Sequence, residues 1–134
     1  MAKWIFKCLA YLWASPNTLL GLVAVLLAIY TGGKASWIRG AVEVHGGFAT
    51  RFLSGYVPWI RHAGAMTLGH VILGRNQECL DYSRDHEHVH VRQYERWGPL
   101  MLPAYLGSSL VLYFRGLDPY LDNPFEVEAY HRVP

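Results

Sequence analysis

The first quarter of the chain is almost entirely apolar, and no charged residue occurs between Lys7 and Lys34. The uncharged run, residues 8–33, contains the segment TLLGLVAVLLAIYTGG and exceeds the about 20 residues that a helix needs to cross a bilayer core. A removable signal peptide would have a small-x-small cleavage site at the end of the apolar core, and the sequence has no convincing one there. We therefore expect residues 1–36 to form a retained membrane anchor.

Pro16 and Asn17 interrupt this run, so two membrane structures fit the pattern. One is a single helix that crosses the bilayer and is kinked at Pro16. The other is an interfacial helix over residues 4–13, followed by a short span with Asn17 near its start as the N-cap. Aromatic side chains that suit a membrane interface flank the apolar segments: Trp4, Tyr11, Trp13 and Tyr30.

A second uncharged stretch, GPLMLPAYLGSSLVLYF, covers residues 98–114 and contains Pro103. Because it is short for a membrane span, it is either a shallow or re-entrant membrane helix or a buried core helix. We expect it to contact the membrane.

Between these apolar stretches the pattern becomes typical of strands. AVEVHGG alternates briefly and ends in glycines, and residues 63–74, which end in AMTLGHVILG, are mostly apolar and bounded by glycine. Helical segments follow. We therefore expect residues 37–134 to form one α+β unit with a small antiparallel sheet.

Residues 81–97 are rich in Arg, Glu and Gln, contain no Gly or Pro, and stop at Gly98-Pro99, which predicts a helix. Within them, residues 86–90 read HEHVH. On a helix His86 and His90 share a face and His88 points away, whereas on a strand all three histidines would lie on one side. The charged flanks without helix breakers favour the helix.

On a helix, HEHVH matches the pattern H-E-x-x-H. His86 and His90 can then bind one Zn²⁺, with Glu87 placed near the metal-bound water. Gln93 continues the same face, three residues after His90. A histidine-rich polar helix without a metal is the structural alternative, because so short a motif also occurs by chance.

A catalytic zinc needs a third protein ligand. The segment DNPFEVEAYH predicts the start of a helix, with Asn123 as N-cap and Pro124 at the first helical position. Glu126 is then either a ligand or a capping-box residue that needs no metal. Glu128 is two residues away and cannot share one site with Glu126 on a regular helix. The other candidates are Asp118, Asp122 and His131.

The composition limits the partners. Only 16% of the 134 residues are charged, against about 25% in typical soluble proteins, and 52% are hydrophobic. The length fits one domain. A formal net charge of +2 without a basic stripe argues against nucleic acid as a partner. Cys8 and Cys79 form neither a disulfide framework nor a zinc knuckle.

The motifs carry a resemblance to a known family. H-E-x-x-H followed by E-x-x-A on a later helix resembles the gluzincin metallopeptidases, closest to the membrane-bound prenyl-protein endopeptidase and heat-shock metallopeptidase group and to the compact minigluzincins. The resemblance covers about residues 64–131 and implies a zincin-like unit with an H-E-x-x-H active helix. It maps the third ligand onto Glu126. Where the family commonly has an acidic residue after the alanine, this chain has Tyr130.

A second resemblance covers nearly the whole chain. TLGHVILGRN, HEHVHVRQYERWGP and DNPFEVEAY are similar to segments of a group of short bacterial membrane-associated proteins. This resemblance implies a place in the lipid bilayer of a bacterial inner membrane, and it implies no activity.

In zincin-type peptidases an edge strand above the active helix pairs with an extended substrate through backbone hydrogen bonds. The family resemblance places this strand at residues 66–73. An ordinary core strand is the alternative, because an apolar pattern fits both. For His70 we expect a packed, hydrogen-bonded position. The predicted substrate-strand residues are Thr67, Leu68, Gly69, His70 and Val71.

Together these patterns predict a membrane-anchored zinc metallopeptidase with a peptide or protein substrate. Zn²⁺ held by His86, His90 and Glu126 would activate water, and Glu87 would accept its proton. Two alternatives remain: a zinc-binding membrane protein without catalysis, and a membrane interaction protein whose histidine-rich helix binds no metal. The candidates for stabilising the oxyanion are Tyr94, Tyr130 and His131.

Overall fold

A computed structural model describes residues 1–56 and 64–133. The chain is α+β, as expected, with two β-hairpins joined in one sheet. A π-helical turn (Phe52–Tyr56) follows the second helix, and a 3-10 turn (Gly98–Leu100) follows the third. The helices are α1 (Ala2–Tyr30), α2 (Gly47–Arg51), α3 (Gln77–Trp97), α4 (Met101–Phe114) and α5 (Pro124–Arg132); the strands are β1 (Lys34–Ile38), β2 (Ala41–His45), β3 (Ala65–Leu68) and β4 (Val71–Gly74).

The helix α1 continues through Pro16, so the alternative of two separate helices is wrong. Proline has no N–H, which leaves the carbonyl of Leu12 without its helical donor, and the Ser15 hydroxyl donates to that carbonyl at 2.6 Å instead. Asn17 is not an N-cap. Its side chain is buried, and its amide donates to the carbonyl of Gly98 at 2.7 Å.

One narrow face of α1 packs against the rest of the chain, and the remaining surface is exposed and largely apolar, apart from Lys3 and Lys7 near its start. Among the described residues, α1 alone is long and apolar enough to cross a membrane. Signal sequences and some core helices of soluble proteins meet the same criteria of length and apolar composition. The buried positions recur at helical spacing: Ala14, Asn17, Gly21, Ala24, Val25 and Ala28.

The sheet is mixed, so the prediction of an antiparallel sheet is wrong in this respect. β1 pairs antiparallel with β2, and β3 pairs antiparallel with β4, but β2 and β4 lie side by side in parallel. The strand order β1-β2-β4-β3 places β4, whose four residues are all buried, at the centre of the sheet beside β2. β2 lies in the predicted AVEVHGG segment, whereas the exposed strand β1 was not predicted.

The prediction of one continuous strand over residues 66–73 is also wrong, because the chain reverses within it. Leu68 pairs with Val71, and Gly69 and His70 form the two-residue turn between β3 and β4. Gly69 has a φ of +62°, and the first central position of tight hairpin turns favours glycine for this reason. Of the longer segment 63–74, Ala63 lies outside the described residues.

The helix predicted over residues 81–97 is confirmed, and it begins four residues earlier, at Gln77. The side chain of Asn76 caps it by accepting a hydrogen bond from the N–H of Cys79 at 2.7 Å. It ends as predicted at Gly98, whose φ of +56° favours glycine.

The second apolar stretch forms α4, with Pro103 in its first turn. Met101 and Ser109 are the buried residues of this helix, whereas Leu106, Leu110 and Phe114 are exposed. The alternative of a buried core helix is therefore wrong, and membrane contact stays the expectation for α4.

We predict that Gly21→Leu lowers the free energy of unfolding by about 1–3 kcal/mol or more, because it forces overpacking. A Cβ atom at position 21 would lie 2.6 Å from the Cβ of Val71 and 2.9 Å from the carbonyl oxygen of Leu68. Gly107→Leu is the matched control, since nothing lies within 4 Å of a Cβ there. Thermal unfolding of both variants in one detergent measures the difference, and equal midpoints would contradict close packing of α1 on the hairpin.

Candidate metal centre

His86 and His90 lie one turn apart on α3 and face Glu126 on α5. The Nε2 atoms of His86 and His90 are 2.9 and 3.1 Å from Oε2 of Glu126. One potential ligand atom from each residue lies within 4.8 Å of the others, and these three residues could hold a metal ion. His88 lies outside this cluster, as expected for a helix.

The start of α5 is held in place by contacts to two other helices. Asn123 caps α5 as predicted, because its Oδ1 accepts from the N–H of Phe125 at 3.0 Å. The Asn123 amide donates to the carbonyl of Tyr105 in α4, and the Gln93 amide of α3 donates to the carbonyl of Phe125. These contacts place Glu126, in the first turn of α5, opposite the two histidines.

The structure distinguishes Glu126 from Glu128. The carboxylate of Glu126 contacts both histidines, and its Oε1 accepts from the Tyr105 hydroxyl at 2.7 Å. In a capping box, the Glu126 carboxylate would accept from the N–H of Asn123. That N–H donates to the carbonyl of Tyr120 instead, so Glu126 is not a capping-box residue. Glu128 points elsewhere and accepts from Arg96 at 2.6 Å.

Gln93 orients His90. Because the Gln93 amide nitrogen donates to the carbonyl of Phe125, its Oε1 is an acceptor and the Nδ1 of His90, at 2.7 Å, is the donor. In neutral His90 this leaves the lone pair on Nε2, which faces Glu126. Metal-ligating histidines commonly make such a second hydrogen bond, which fixes the ring and the tautomer.

In the absence of a metal ion, a proton on His90 provides the positive charge that pairs with the Glu126 carboxylate. Burial disfavours the charged form of His90, but the hydrogen bond to Glu126 and the charge of Glu87 outweigh it and raise the pKa of His90 to about 9. Burial also disfavours charged Glu126, yet hydrogen bonds to His86 and His90 lower its pKa to about 2. A bound cation would replace the His90 proton as the partner of the Glu126 carboxylate.

Glu87 is buried next to the cluster. Burial raises its pKa, and the charge of His90 and a hydrogen bond from Thr67 offset this only in part. The Thr67 hydroxyl, from β3, holds Oε2 of Glu87 at 2.7 Å. A positioned carboxylate with a raised pKa suits a group that accepts a proton near neutral pH.

The three predicted oxyanion donors, Tyr94, Tyr130 and His131, each contact another group of the protein. The Tyr94 hydroxyl donates to the carbonyl of Thr67 at 3.0 Å, and Nδ1 of exposed His131 lies 2.8 Å from the carbonyl oxygen of Val127. The exposed Tyr130 packs its ring against His86, with 4.5 Å between ring centroids.

Two tyrosines that the sequence did not indicate, Tyr105 and Tyr120, lie at the site. Both line the same cavity as Glu87 and Glu126. Tyr105 lies within the apolar helix α4, and Tyr120 lies in the turns before α5. No spacing relative to HEHVH predicts either residue, because only the packing of α4 and α5 on α3 brings them near.

Of the predicted substrate-strand residues, the first two line the cavity and the other three lie elsewhere. Thr67 and Leu68 line the cavity, from a strand at the edge of the described sheet. Gly69 packs its turn against α1 at Thr18, and Val71 lies in β4. His70 is packed and bonded as expected, with its Nε2 3.0 Å from a Glu95 carboxylate oxygen.

A largely apolar cavity of about 480 Å³ extends from the cluster. α1 and α4 form two of its walls, and β3 and the residues around α2 contribute others. His90, Glu87 and Glu126 are among its few polar lining groups. Its volume lies within the about 300–1,000 Å³ that is usual for small-molecule and substrate pockets.

Comparison with known proteins adds no further support for any family. No family model, curated protein or solved structure matches this chain. The gluzincin resemblance therefore rests on its two sequence motifs, and the identity of the metal stays a prediction.

We predict that the apparent zinc affinity rises with pH. The pKa of His90 in the metal-free protein, about 9, lies above neutral pH, so zinc must displace its proton, whereas Glu126 is already ionised. The affinity is expected to rise about tenfold per pH unit between about pH 6 and pH 8. Competition with a chelator measures this, and a pH-independent affinity after correction for the chelator would place zinc elsewhere.

We predict that Glu126→Gln weakens zinc binding by more than about 100-fold, since it removes the anionic ligand. Glu128→Gln is the matched control, because Glu128 accepts from Arg96 and lies outside the cluster. Its zinc affinity should equal that of the unmodified chain in the same chelator titration. The reverse order of the two affinities would contradict the assignment of the third ligand.

Proposed function

We propose that this chain is a membrane-associated zinc metallopeptidase, in keeping with its resemblance to the gluzincins. The observation that carries the proposal is the convergence of His86, His90 and Glu126, with Glu87 buried beside them. Two imidazoles and one carboxylate are a donor set of catalytic zinc sites, in which the fourth position stays open for water. A histidine-rich polar helix without a site would not require His90 and Glu126 to be buried together.

The protein residues have distinct tasks in the proposed hydrolysis. A bound zinc ion would lower the pKa of a coordinated water and polarise the scissile carbonyl. Glu87 would accept a proton from the attacking water as the water oxygen bonds to the carbonyl carbon, and would return it to the amine nitrogen as the C–N bond breaks. Thr67 holds one oxygen of Glu87 in position for both transfers.

Tyr120 is the proposed donor to the oxyanion. It lines the cavity with Glu87 and Glu126, and burial together with the negative charge of Glu126 raises its pKa, so its hydroxyl keeps its proton. Tyr105 has a different task, because its hydroxyl already donates to Glu126 and orients the carboxylate. A preorganised donor of this kind stabilises charge that develops on the carbonyl oxygen.

The edge strand β3 supports a peptide as the substrate. Its outer edge is free to pair with an extended backbone among the residues that the structure describes, and Thr67 within it contacts Glu87. An apolar side chain of the substrate would then enter the adjoining cavity. The apolar helix α1 supports a membrane location, and the second sequence resemblance suggests a bacterial inner membrane.

A second candidate function is zinc binding without catalysis. One observation favours it: the hydroxyl of Tyr94, a donor suggested by the sequence, is already bound to the carbonyl of Thr67. Both candidates share the metal ligands and differ in whether Glu87 takes part in hydrolysis.

We predict that Glu87→Gln lowers peptide hydrolysis by at least about 100-fold and leaves the zinc content near one ion per chain. Glutamine keeps the size of the side chain and can still accept a hydrogen bond from Thr67, but it cannot take up the proton. Cleavage of a fluorogenic peptide library and metal analysis of the same preparations measure the two properties.

Glu78→Gln is the matched control, because Glu78 is exposed at the start of the same helix. Full activity of Glu87→Gln would refute the role of Glu87. A zinc-loaded unmodified chain that cleaves no peptide would favour the non-catalytic alternative.

A further inference from the structure

α1 and α4 expose many large apolar side chains, and the contact of these side chains with water is unfavourable. Beyond its buried stripe, α1 exposes large apolar side chains at nearly every turn, and α4 does so at Leu106, Leu110, Val111 and Phe114. Extended apolar surfaces of this kind mark contact with a membrane or a partner. The exposed large apolar residues in the second half of α1 are Leu19, Leu20, Leu22, Val23, Leu26, Leu27, Ile29 and Tyr30.

Two of the protein contacts near the middle of α1 are polar. The Asn17 amide donates to the carbonyl of Gly98, and the indole N–H of Trp13 donates to the carbonyl of Arg96. Arg96 thus lies beside this part of α1, and its side chain, which is 55% exposed, forms an ion pair with Glu128.

The buried side chain of His70 adjoins the same part of α1. Its Nδ1 lies 3.5 Å from the hydroxyl of Thr18, and its Nε2 contacts Glu95. Glu95 in turn lies 3.6 Å from the ammonium group of Lys7, which is about three helical turns before Thr18 in α1. If α1 crossed the bilayer, its midpoint, and with it Arg96, whose carbonyl accepts from Trp13, would lie within the hydrocarbon core, where charged groups are strongly disfavoured.

We propose that α1 lies in the plane of one membrane leaflet, together with α4, and does not cross the bilayer. The outward apolar faces of both helices then contact lipid chains, while α3, with its exposed charges at Asp81, Arg92 and Arg96, faces water. The partner of this surface is the lipid bilayer. The inference rests on the membrane location in the proposed function and is independent of the chemistry at the metal centre.

This placement also determines where the cavity opens. Leu20 and Leu27 of α1 and Leu106 of α4 line the cavity and are nevertheless about half exposed, so they mark its mouth. With α1 and α4 in the leaflet, the mouth opens among the lipid chains. The metal centre is then reached from within the membrane by an apolar part of its substrate.

The in-plane placement is tested with single cysteines at the two ends of α1. Cys8 and Cys79 are free thiols and are first replaced by serine. Ala2→Cys and Ala35→Cys then introduce one exposed thiol at the first residue of α1 and one after its end, without changing the charge. A membrane-impermeant maleimide is applied to spheroplasts and to inverted membrane vesicles of bacteria that express the full chain.

Both thiols are expected to react in the same preparation, because both ends of α1 lie on one side of the membrane. Labelling divided between the two preparations would overturn the in-plane placement, and would leave the proposed hydrolysis untouched if that chain still cleaves peptides. A chain that does not sediment with the membranes would overturn the placement together with the membrane location.

The position of the cavity mouth has its own test. Benzoylphenylalanine incorporated at Leu106 is expected to crosslink to phospholipid acyl chains in the expressing membranes. The same group at Tyr82, which is exposed on α3, is the control and is expected to give no lipid adduct. Equal lipid crosslinking at both positions, or none at Leu106, would refute a mouth that opens into the leaflet.

Discussion

Two carboxylates, those of Glu87 and Glu126, are buried in a largely apolar cavity, and this burial constrains the rest of the structure. A buried carboxylate is stable only with hydrogen-bond donors or a cation as its partners. Thr67 of β3 provides a donor for Glu87, and Tyr105 of α4 provides one for Glu126. The same contacts therefore hold the sheet, α3, α4 and α5 around one point.

The helix α1 is part of this arrangement because it forms a wall of the cavity. Its small residues allow close approach, so that Gly21 contacts Val71 of the hairpin and the turn at Gly69 contacts Thr18. Since one face of α1 is occupied by protein, only its outer face is available to lipid. Membrane contact and the shape of the cavity are consequently linked through a single helix.

Local patterns predicted the parts of the site that lie on one element. The i, i+4 spacing of His86 and His90 and the stop at Gly98 are properties of one helix, and capping of α5 by Asn123 depends on adjacent residues. The choice between Glu126 and Glu128 was open, because it depends on how α5 packs against α3. Tyr105 and Tyr120 were missed for the same reason: each reaches the site through contacts between elements.

The sequence by itself determined the apolar character of α1 and α4, the extent of α3 at its C-terminal end, and the residue types available for a metal centre. Only the tertiary structure decided that α1 continues through Pro16, that residues 65–74 form a hairpin, and that β2 and β4 pair in parallel. Hydrophobic period and capping signals act within a few residues of each other. The partners of Asn17 and Glu126 and the parallel partner of β4 lie tens of residues away, and packing free energy selects them.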